Sequence, residues 1–432
     1  MRKRVYDTAV IGAGASGIMA AVTAARLGAD VVLLEHMEQP AKKLLATGNG
    51  KCNYTNADLG IGHYYCEEPE FVRTVLEQFS YADTVRFFEE LGIRPVLKNG
   101  TCAYPESEQA VSVKNALLAE AKRLDIPLLL SVGIRRIHKL CHQEIGGKME
   151  REIFCIETKK DVLFSRTCIL ATGGKAAKKT GSDGSGYVYA RQLGHTVRQP
   201  HPALVALFAD FQAWKLPAGV RIGCAATLYV DGKCAACETG ELQMAEYGIS
   251  GIVVFQFSRI AARALSENRQ VTVCLDFKPD LSEAALTEYL LERFSSVYHK
   301  DKRIDEGMNG FLPEKMIPVI RSRAGIKEQM RCGKCSRRQA EQLAAVLKAY
   351  QVNITGTKGF DNAQATAGGV CVQEINAGRM ESKKVPGLYF AGELVDVDAK
   401  CGGYHLQWAW SSGFAAGRAA AELVGIFQAH SG

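Results

Sequence analysis

The sequence predicts an α/β protein in which a parallel sheet is interrupted by a long insertion. Three observations predict it. A strand, a glycine-rich turn, a helix and a second strand follow one another over residues 5–35. A late strand, residues 387–391, ends in Gly392 and Glu393 and leads into a helix rich in small residues. Between them, from about residue 197 to 355, the chain first reads as short strands with turns and then as amphipathic helices.

The first unit opens with the apolar strand VYDTAVI, residues 5–11, and continues GAGASG. Gly12, Gly14 and Gly17 stand at the spacing G-x-G-x-x-G, with Ala15 and Ser16 between the last two. In that pattern Gly12 permits a tight turn, Gly14 admits a pyrophosphate to the backbone, and Gly17 lets helix and strand pack closely. The pyrophosphate would lie on the free N–H groups of the following helix, at its positive end. Glu35 ends the second strand, where its carboxylate suits a ribose hydroxyl and repels a 2′-phosphate. The fingerprint alone is weak; its strand, helix and acidic partner together predict a dinucleotide site.

The loop KKLLATGNGKCNYTN follows. Lys43 and Lys51 suit phosphate or ring charge, Asn49, Cys52 and Asn53 supply short polar contacts, and Gly48 and Gly50 admit a close approach. A solvated turn is the alternative use of such residues. Helical patterns at 68–92 and 107–124 and strands near 127–137, 152–158 and 166–171 complete this part. The last of these strands runs into the small-residue turn Ala171, Thr172, Gly173.

The late strand–Gly–acid unit selects FAD over NAD. In flavoproteins with a discontinuous nucleotide domain such a unit rejoins the first sheet, its acid serves the ribityl or pyrophosphate region, and the next helix aims its positive end at the ring. Here those parts are Gly392, Glu393, and the start Gly402, Gly403, Tyr404, His405. The fold class is therefore a Rossmann-like FAD-binding domain interrupted by an inserted β-rich plus helical region. The expected divisions are 1–196, 197–280 (β-rich, substrate-binding), 281–355 (helical) and 356–432.

The segments DTAVIGAGASG, KKLLATGNGKCNYTN, ATGGKAAKKTGSDGSGYVYARQLGHTV, TAGGVCVQEINAGRMESKKVPGLYFAGELVDVD and CGGYHLQWAWSSG resemble those of one bacterial family. It is the family of FAD-binding flavoproteins that includes the aminoacetone oxidases and the bile-acid 3-dehydro-Δ4,6-reductase. The resemblance spans nearly the whole chain and implies FAD as cofactor, but it defines the cofactor better than the substrate. Two departures are visible. His405 stands where the resembled family more usually has asparagine, and QMAEYGISG replaces a threonine–histidine pair followed by proline.

Flavin carries hydride at N5, so the protein need supply orientation, a proton and exclusion of water. The proton-handling candidates are His405, whose pKa the helix end should lower, and Tyr104 in CAYPES. Tyr404 and Trp408 would form an aromatic wall or simply core, and His201 reads as structural. No second G-x-G-x-x-G follows a strand, so NAD(P)H is expected only as a transient electron donor. The reading is a reductase or dehydrogenase of a small organic molecule such as an unsaturated 3-oxo-steroid. Its alternatives are an amine oxidase forming hydrogen peroxide and a flavoprotein acting on RNA.

Composition bounds the rest. The chain has 432 residues, 47% hydrophobic and 23% charged, with a formal net charge of +7. That charge is dispersed and shows no basic–aromatic interleaving, so no nucleic-acid partner is expected. No apolar run spans a bilayer, and the basic start is broken by Asp7 and then glycines, so a cytoplasmic location is expected. The 14 cysteines read as reduced thiols. Cys234/Cys237 and Cys332/Cys335 form C-x-x-C pairs, yet their separation is not that of a zinc ribbon and no metal is expected. The oligomeric state is not legible.

Overall fold

The computed structural model describes residues 4–145, 148–210 and 215–429. It divides into two compact units, residues 1–201 with 365–432, and 202–364.

The first unit is built on a nine-stranded sheet. Five strands run parallel, in the order Leu128–Leu129, Val31–Leu34, Val5–Ile11, Val162–Leu170, Leu388–Phe390. The late strand thus lies beside the middle of the sheet, far in sequence from the strand it pairs with, as the glycine–acid ending indicated. It pairs with the upper end of Val162–Leu170, in the register Cys168↔Leu388 to Leu170↔Phe390. The lower end of the same strand, Val162 to Ser165, pairs antiparallel with a long hairpin, Ile134–Ile145 and Lys148–Thr158.

The first helix, Ala15–Arg26, is buried along most of its length because its face is Ile18, Met19, Ala20, Ala21, Val22 and Ala24. The last helix, Tyr404–Ala429, packs directly on it. A Cβ on Gly413 would lie 2.5 Å from the Ser16 carbonyl oxygen, and one on Gly417 would lie 2.3 Å from that of Ala20. The small residues of the last helix therefore set its distance from the first.

Residues 68–92, read as a single helical pattern, form two helices, Pro69–Gln78 and Tyr81–Glu90. Ser80 breaks them because its hydroxyl accepts from the Asp83 N–H while the Asp83 carboxylate accepts from the Ser80 N–H, a reciprocal cap.

The second unit contains a closed antiparallel barrel of six strands. Its order is Leu207–Ala209, Gly248–Gly251, Lys233–Ala245, Arg221–Val230, Val271–Asp276, Tyr350–Thr357 and back to the first. The sequence reads as helical up to residue 355. Instead the helix ends at Lys348, and Tyr350–Thr357 alternates buried and exposed residues as the closing strand. That strand follows the helices in sequence and completes the barrel, so the β-rich and helical parts share one unit and one core. Ile252–Ser266 is a helix that the sequence pattern did not suggest. Its start, IVVFQF, is β-branched and aromatic, but Val253, Val254, Phe257, Ala261 and Ala264 fall on one buried stripe. Among the described residues no helix is long and apolar enough to cross a membrane.

Candidate functional site

The glycine turn has the form its spacing implied. Gly12 has φ +103°, and a Cβ there would lie 2.6 Å from the Ala171 carbonyl oxygen; one on Gly17 would lie 1.8 Å from that of Gly12. Gly14 is different. Its backbone is extended, at φ −82°, and a Cβ would meet nothing within 4 Å. The helix it precedes has no side-chain cap and no acid in its first turn, so Ala15 and Ser16 begin a helix whose N–H groups lack a built-in anion.

Glu35 is buried, and both carboxylate oxygens accept backbone N–H groups, from Ala13 at 2.8 Å and Met37 at 2.9 Å. It stitches the turn to its own strand end. A carboxylate has about four acceptor positions, so a ribose hydroxyl is still accommodated.

Ala171 donates its N–H to the Ile11 carbonyl, which fixes Ala171, Thr172 and Gly173 beside the glycine turn. The Thr172 hydroxyl is buried without a hydrogen-bond partner. Gly392, at φ +71°, comes so close to Ser16 that a Cβ would lie 2.4 Å from its hydroxyl oxygen. Its N–H donates to Ser412, and its carbonyl accepts from the Trp408 indole. The two distant glycine segments and the last helix are therefore one packed assembly, and Trp408 serves it as buried core with a hydrogen-bonded indole.

Glu393 carries the charged part of the site. It accepts from Lys43 at 2.6 Å and from the Thr366 N–H at 2.7 Å. Burial pushes the Glu393 carboxyl up, but the Lys43 ammonium and the Thr366 contact outweigh it and hold the group below its ordinary value. Thr366 also receives the N–H groups of Lys175 and Ala176 on its hydroxyl. Nothing in the sequence marks Thr366, because a lone threonine carries no spacing signal.

His405 belongs to the same electrostatic cluster. Burial, followed by the opposing influence of Glu393 and the reinforcing one of Lys43, pushes its pKa down to about 4. Its Nε2 accepts the Ala399 N–H at 3.2 Å, so the ring is neutral with its proton on Nδ1. The expected lowering is therefore present, with desolvation as its main cause. The folded ring stays neutral to about pH 4, whereas the unfolded chain protonates near 6.5. Stability should be full above pH 6.5 and fall as pH drops toward 4, by about 3 kcal/mol from this group. Urea titrations across that range should show a shallower loss for His405→Asn.

The loop Lys43 to Asn56 is a series of tight turns. Gly48, Asn49, Gly50 and Cys52 all have positive φ, between 55° and 84°. That geometry explains its glycine and asparagine content, since these residues tolerate the left-handed region. Its expected ligands divide. Asn49 is exposed, and Lys51 is exposed and paired with Glu108 at 2.8 Å. Cys52 turns into the core, where burial pushes its thiol up to about 12; it is an apolar packing residue rather than a polar contact for a ring. Asn53 lies against the start of the last helix. Its Oδ1 is buried without a partner, and a Cβ on Gly403 would lie 2.8 Å from it.

Gly402, at φ +140°, accepts the Asn56 side-chain N–H through its carbonyl at 2.8 Å, which fixes the start of the last helix against the loop. Gln407, in that helix, accepts from the hydroxyls of Thr55 and Thr84. Tyr404 stacks on His63 at 4.5 Å between ring centroids, and burial pushes its hydroxyl up to about 12. Tyr104 lies across the loop, 3.3 Å from the position of a Cβ on Gly48; burial raises its pKa.

The donor set fits FAD. It offers an uncapped helix N-terminus with open space at Gly14, an acid beside the turn, and the unpartnered Thr172 hydroxyl and Asn53 carbonyl. The residues that would hold the cofactor are the Gly12–Gly17 turn, Glu35, Thr172, Asn53, and the Gly402–Gly403 helix start. Lys43 and Glu393 hold the segments in register. His201 lies at the start of a short strand, His201–Ala203.

The two C-x-x-C pairs are unlike each other. Cys234 and Cys237 are exposed on a barrel strand, whereas Cys332 is buried and Cys335 half-buried in a single turn.

Comparison with known proteins agrees with this architecture. A family model described as the HI0933-like protein Rossmann domain matches residues 6–419. A 3-dehydro-bile acid delta(4,6)-reductase of Clostridium scindens is 40% identical over 419 residues, 96% of this chain and 98% of that protein. A ribosomal RNA dihydrouridine synthase of Escherichia coli is 26% identical over 95% of this chain and 96% of that protein. Among solved structures, a 3-ketosteroid delta1-dehydrogenase from Sterolibacterium denitrificans aligns with 97% of this chain and 100% of its own, at a TM-score of 0.49 and 11% identity. The family match and the 40%-identical relative, each spanning nearly the whole chain, establish that the chain belongs to the HI0933-like family of Rossmann-domain oxidoreductases.

Proposed function

We propose that the protein is an FAD-dependent reductase of a carbon–carbon double bond conjugated to a carbonyl, acting on a bile-acid-like 3-oxo substrate with NAD(P)H as transient electron donor. The observation that carries this reading is the 40% identity to a reductase of that substrate class across 96% of the chain. When bound, FAD supplies hydride chemistry at N5.

The chain's own residues support the rest. The positive start of the last helix, at Gly402–Tyr404, suits negative charge on a reduced ring. Tyr104, a phenol that is protonated at neutral pH and that burial keeps further from ionisation, is the proton source in this reading. His405 is a neutral positioning residue, since its Nε2 already accepts a backbone N–H. Net reduction adds one hydride and one proton across the double bond and oxidises NAD(P)H to NAD(P)+. A cytoplasmic, small-molecule enzyme fits this reading.

A second reading is reduction of uridine in ribosomal RNA. It is favoured by the relatives at 26% identity, whose name denotes a dihydrouridine product, and it shares the chemistry of a carbonyl-conjugated double bond. The dispersed positive charge argues for the first.

The test is anaerobic. Purified protein should be yellow and should bleach with NADH or NADPH; a 3-oxo-Δ4,6 steroid should then restore the oxidised spectrum within seconds. Restoration by unmodified ribosomal RNA and not by the steroid would establish the second reading. Restoration only by air, with an amine consumed and hydrogen peroxide formed, would replace both with an oxidase.

A further inference from the structure

The hairpin Ile134–Ile145/Lys148–Thr158 carries a constellation that the flavin site does not use. His138 stands directly opposite Cys155 in the ladder, and Glu157 follows two residues along the same strand. Residues at i and i+2 share a strand face, as do directly paired residues. The register therefore puts an imidazole, a thiol and a carboxylate on one face. Their donor atoms all lie within 4.8 Å of one another.

The opposite face of the hairpin explains why this one is separate. Ile137, Phe154 and Ile156 belong to the main core of the first unit, whereas Cys155 packs in a small satellite cluster with Ile145, Ile153 and Phe164. Cys155 is 5% exposed. The Nδ1 atom of His138 is buried with no hydrogen-bond partner, and the Glu157 carboxylate stands at 3.6 Å, beyond hydrogen-bond reach. A buried nitrogen left without a partner costs about 1–3 kcal/mol, and this imidazole shares its cluster with two further metal-ligating groups.

We propose that His138, Cys155 and Glu157 form a zinc site. One thiolate, one imidazole nitrogen and one carboxylate oxygen are the ligand types of tetrahedral zinc. Thiolate disfavours magnesium and calcium, which take oxygen ligands. Tetrahedral zinc at roughly 2.0–2.3 Å from each ligand sets its donors roughly 3.3–3.7 Å apart, which modest side-chain rotation would reach from the present separations of within 4.8 Å. Glu157 is partly exposed, so water completes the fourth position. Binding releases the thiol proton to solvent and changes no oxidation state. The site would clip the two strands of the hairpin together, away from the redox centre.

The test uses the flavin-loaded protein, stripped with chelator and titrated with Zn2+ alone, with bound metal counted after gel filtration. Wild type should take up one zinc per chain. Cys155→Ala and His138→Gln should each weaken uptake by at least about tenfold, more than about 1.4 kcal/mol. A Cys234→Ser/Cys237→Ser chain, lacking the exposed C-x-x-C pair, should bind like wild type. Cobalt in place of zinc should give long-wavelength d–d bands, clear of flavin absorption, that vanish with Cys155→Ala. His138→Gln lies at a partly exposed position and tests the site even if Cys155→Ala fails to fold. Undiminished zinc in either variant, or no uptake by wild type at micromolar free zinc, would overturn the proposal.

Discussion

Gly17→Ala is expected to yield protein without bound flavin and with a markedly lower Tm. The new Cβ would lie 1.8 Å from the Gly12 carbonyl oxygen. That neighbour is backbone, and Gly12 is itself held by its N–H bond to the Leu34 carbonyl at 2.7 Å. No side-chain rotation relieves the overlap, so the helix must leave the strand or the turn must unwind. The cost should exceed about 3 kcal/mol, the upper end of ordinary overpacking. Gly14→Ala separates ligand binding from folding. Its backbone is one any residue adopts, and its Cβ would enter open space. The apoprotein should keep its Tm while flavin affinity falls at least about tenfold. The absorbance ratio of flavin to protein after purification, with calorimetry of both apoproteins, checks the pair. Full flavin content in Gly14→Ala would show that the space beside it is not the pyrophosphate position.

The second large effect is expected from Lys43→Met. Lys43 and Glu393 are 27% and 16% exposed, and their contact is 2.6 Å. Removing the ammonium leaves a carboxylate in a largely desolvated position, which costs about 3–5 kcal/mol when a buried partner is lost. Glu393 is held below its ordinary pKa in the folded state, so its stabilisation is present above about pH 4.5 and is lost as pH falls through the folded value. In Lys43→Met the desolvation remains without its offset, the carboxyl pKa rises, and the acid limb of the stability curve should move to higher pH. Lys43→Met/Glu393→Gln should recover part of the loss, because a neutral amide still accepts the Thr366 N–H. Urea unfolding of the two single variants and the double variant gives the coupling directly. Additive losses would mean that the two groups do not act as a pair.

Several features of the site are written locally. The fingerprint glycines, the acid ending the second strand and the small-residue turn at Ala171 each serve contacts within a few residues or across one pair of strands. Period and spacing report such contacts directly. The late strand was legible for a related reason: its Gly–Glu ending and small-residue helix make sense only beside another backbone. The loop from Lys43 to Asn56 shows where this stops. Its composition suggested contacts to a cofactor, with tight turns as the alternative, and positive φ at Gly48, Asn49, Gly50 and Cys52 shows that the turns are there. Composition does not say which way a side chain faces. Cys52 looks as polar as Asn53 in sequence, yet one is fully buried core and the other presents an unpartnered oxygen.

By itself, the sequence determined the interrupted α/β architecture, the glycine turn, the return of the chain at Leu388–Phe390 and the family, because these depend on short-range period and on which residues tolerate close backbone approach. Only the tertiary structure decided that Lys43 and Thr366 both meet Glu393, that Tyr350–Thr357 closes the barrel, and that His138 faces Cys155 and Glu157. Those contacts join residues up to 350 positions apart. They arise from burial and charge compensation in the folded interior, quantities that exist only once the chain has closed around them.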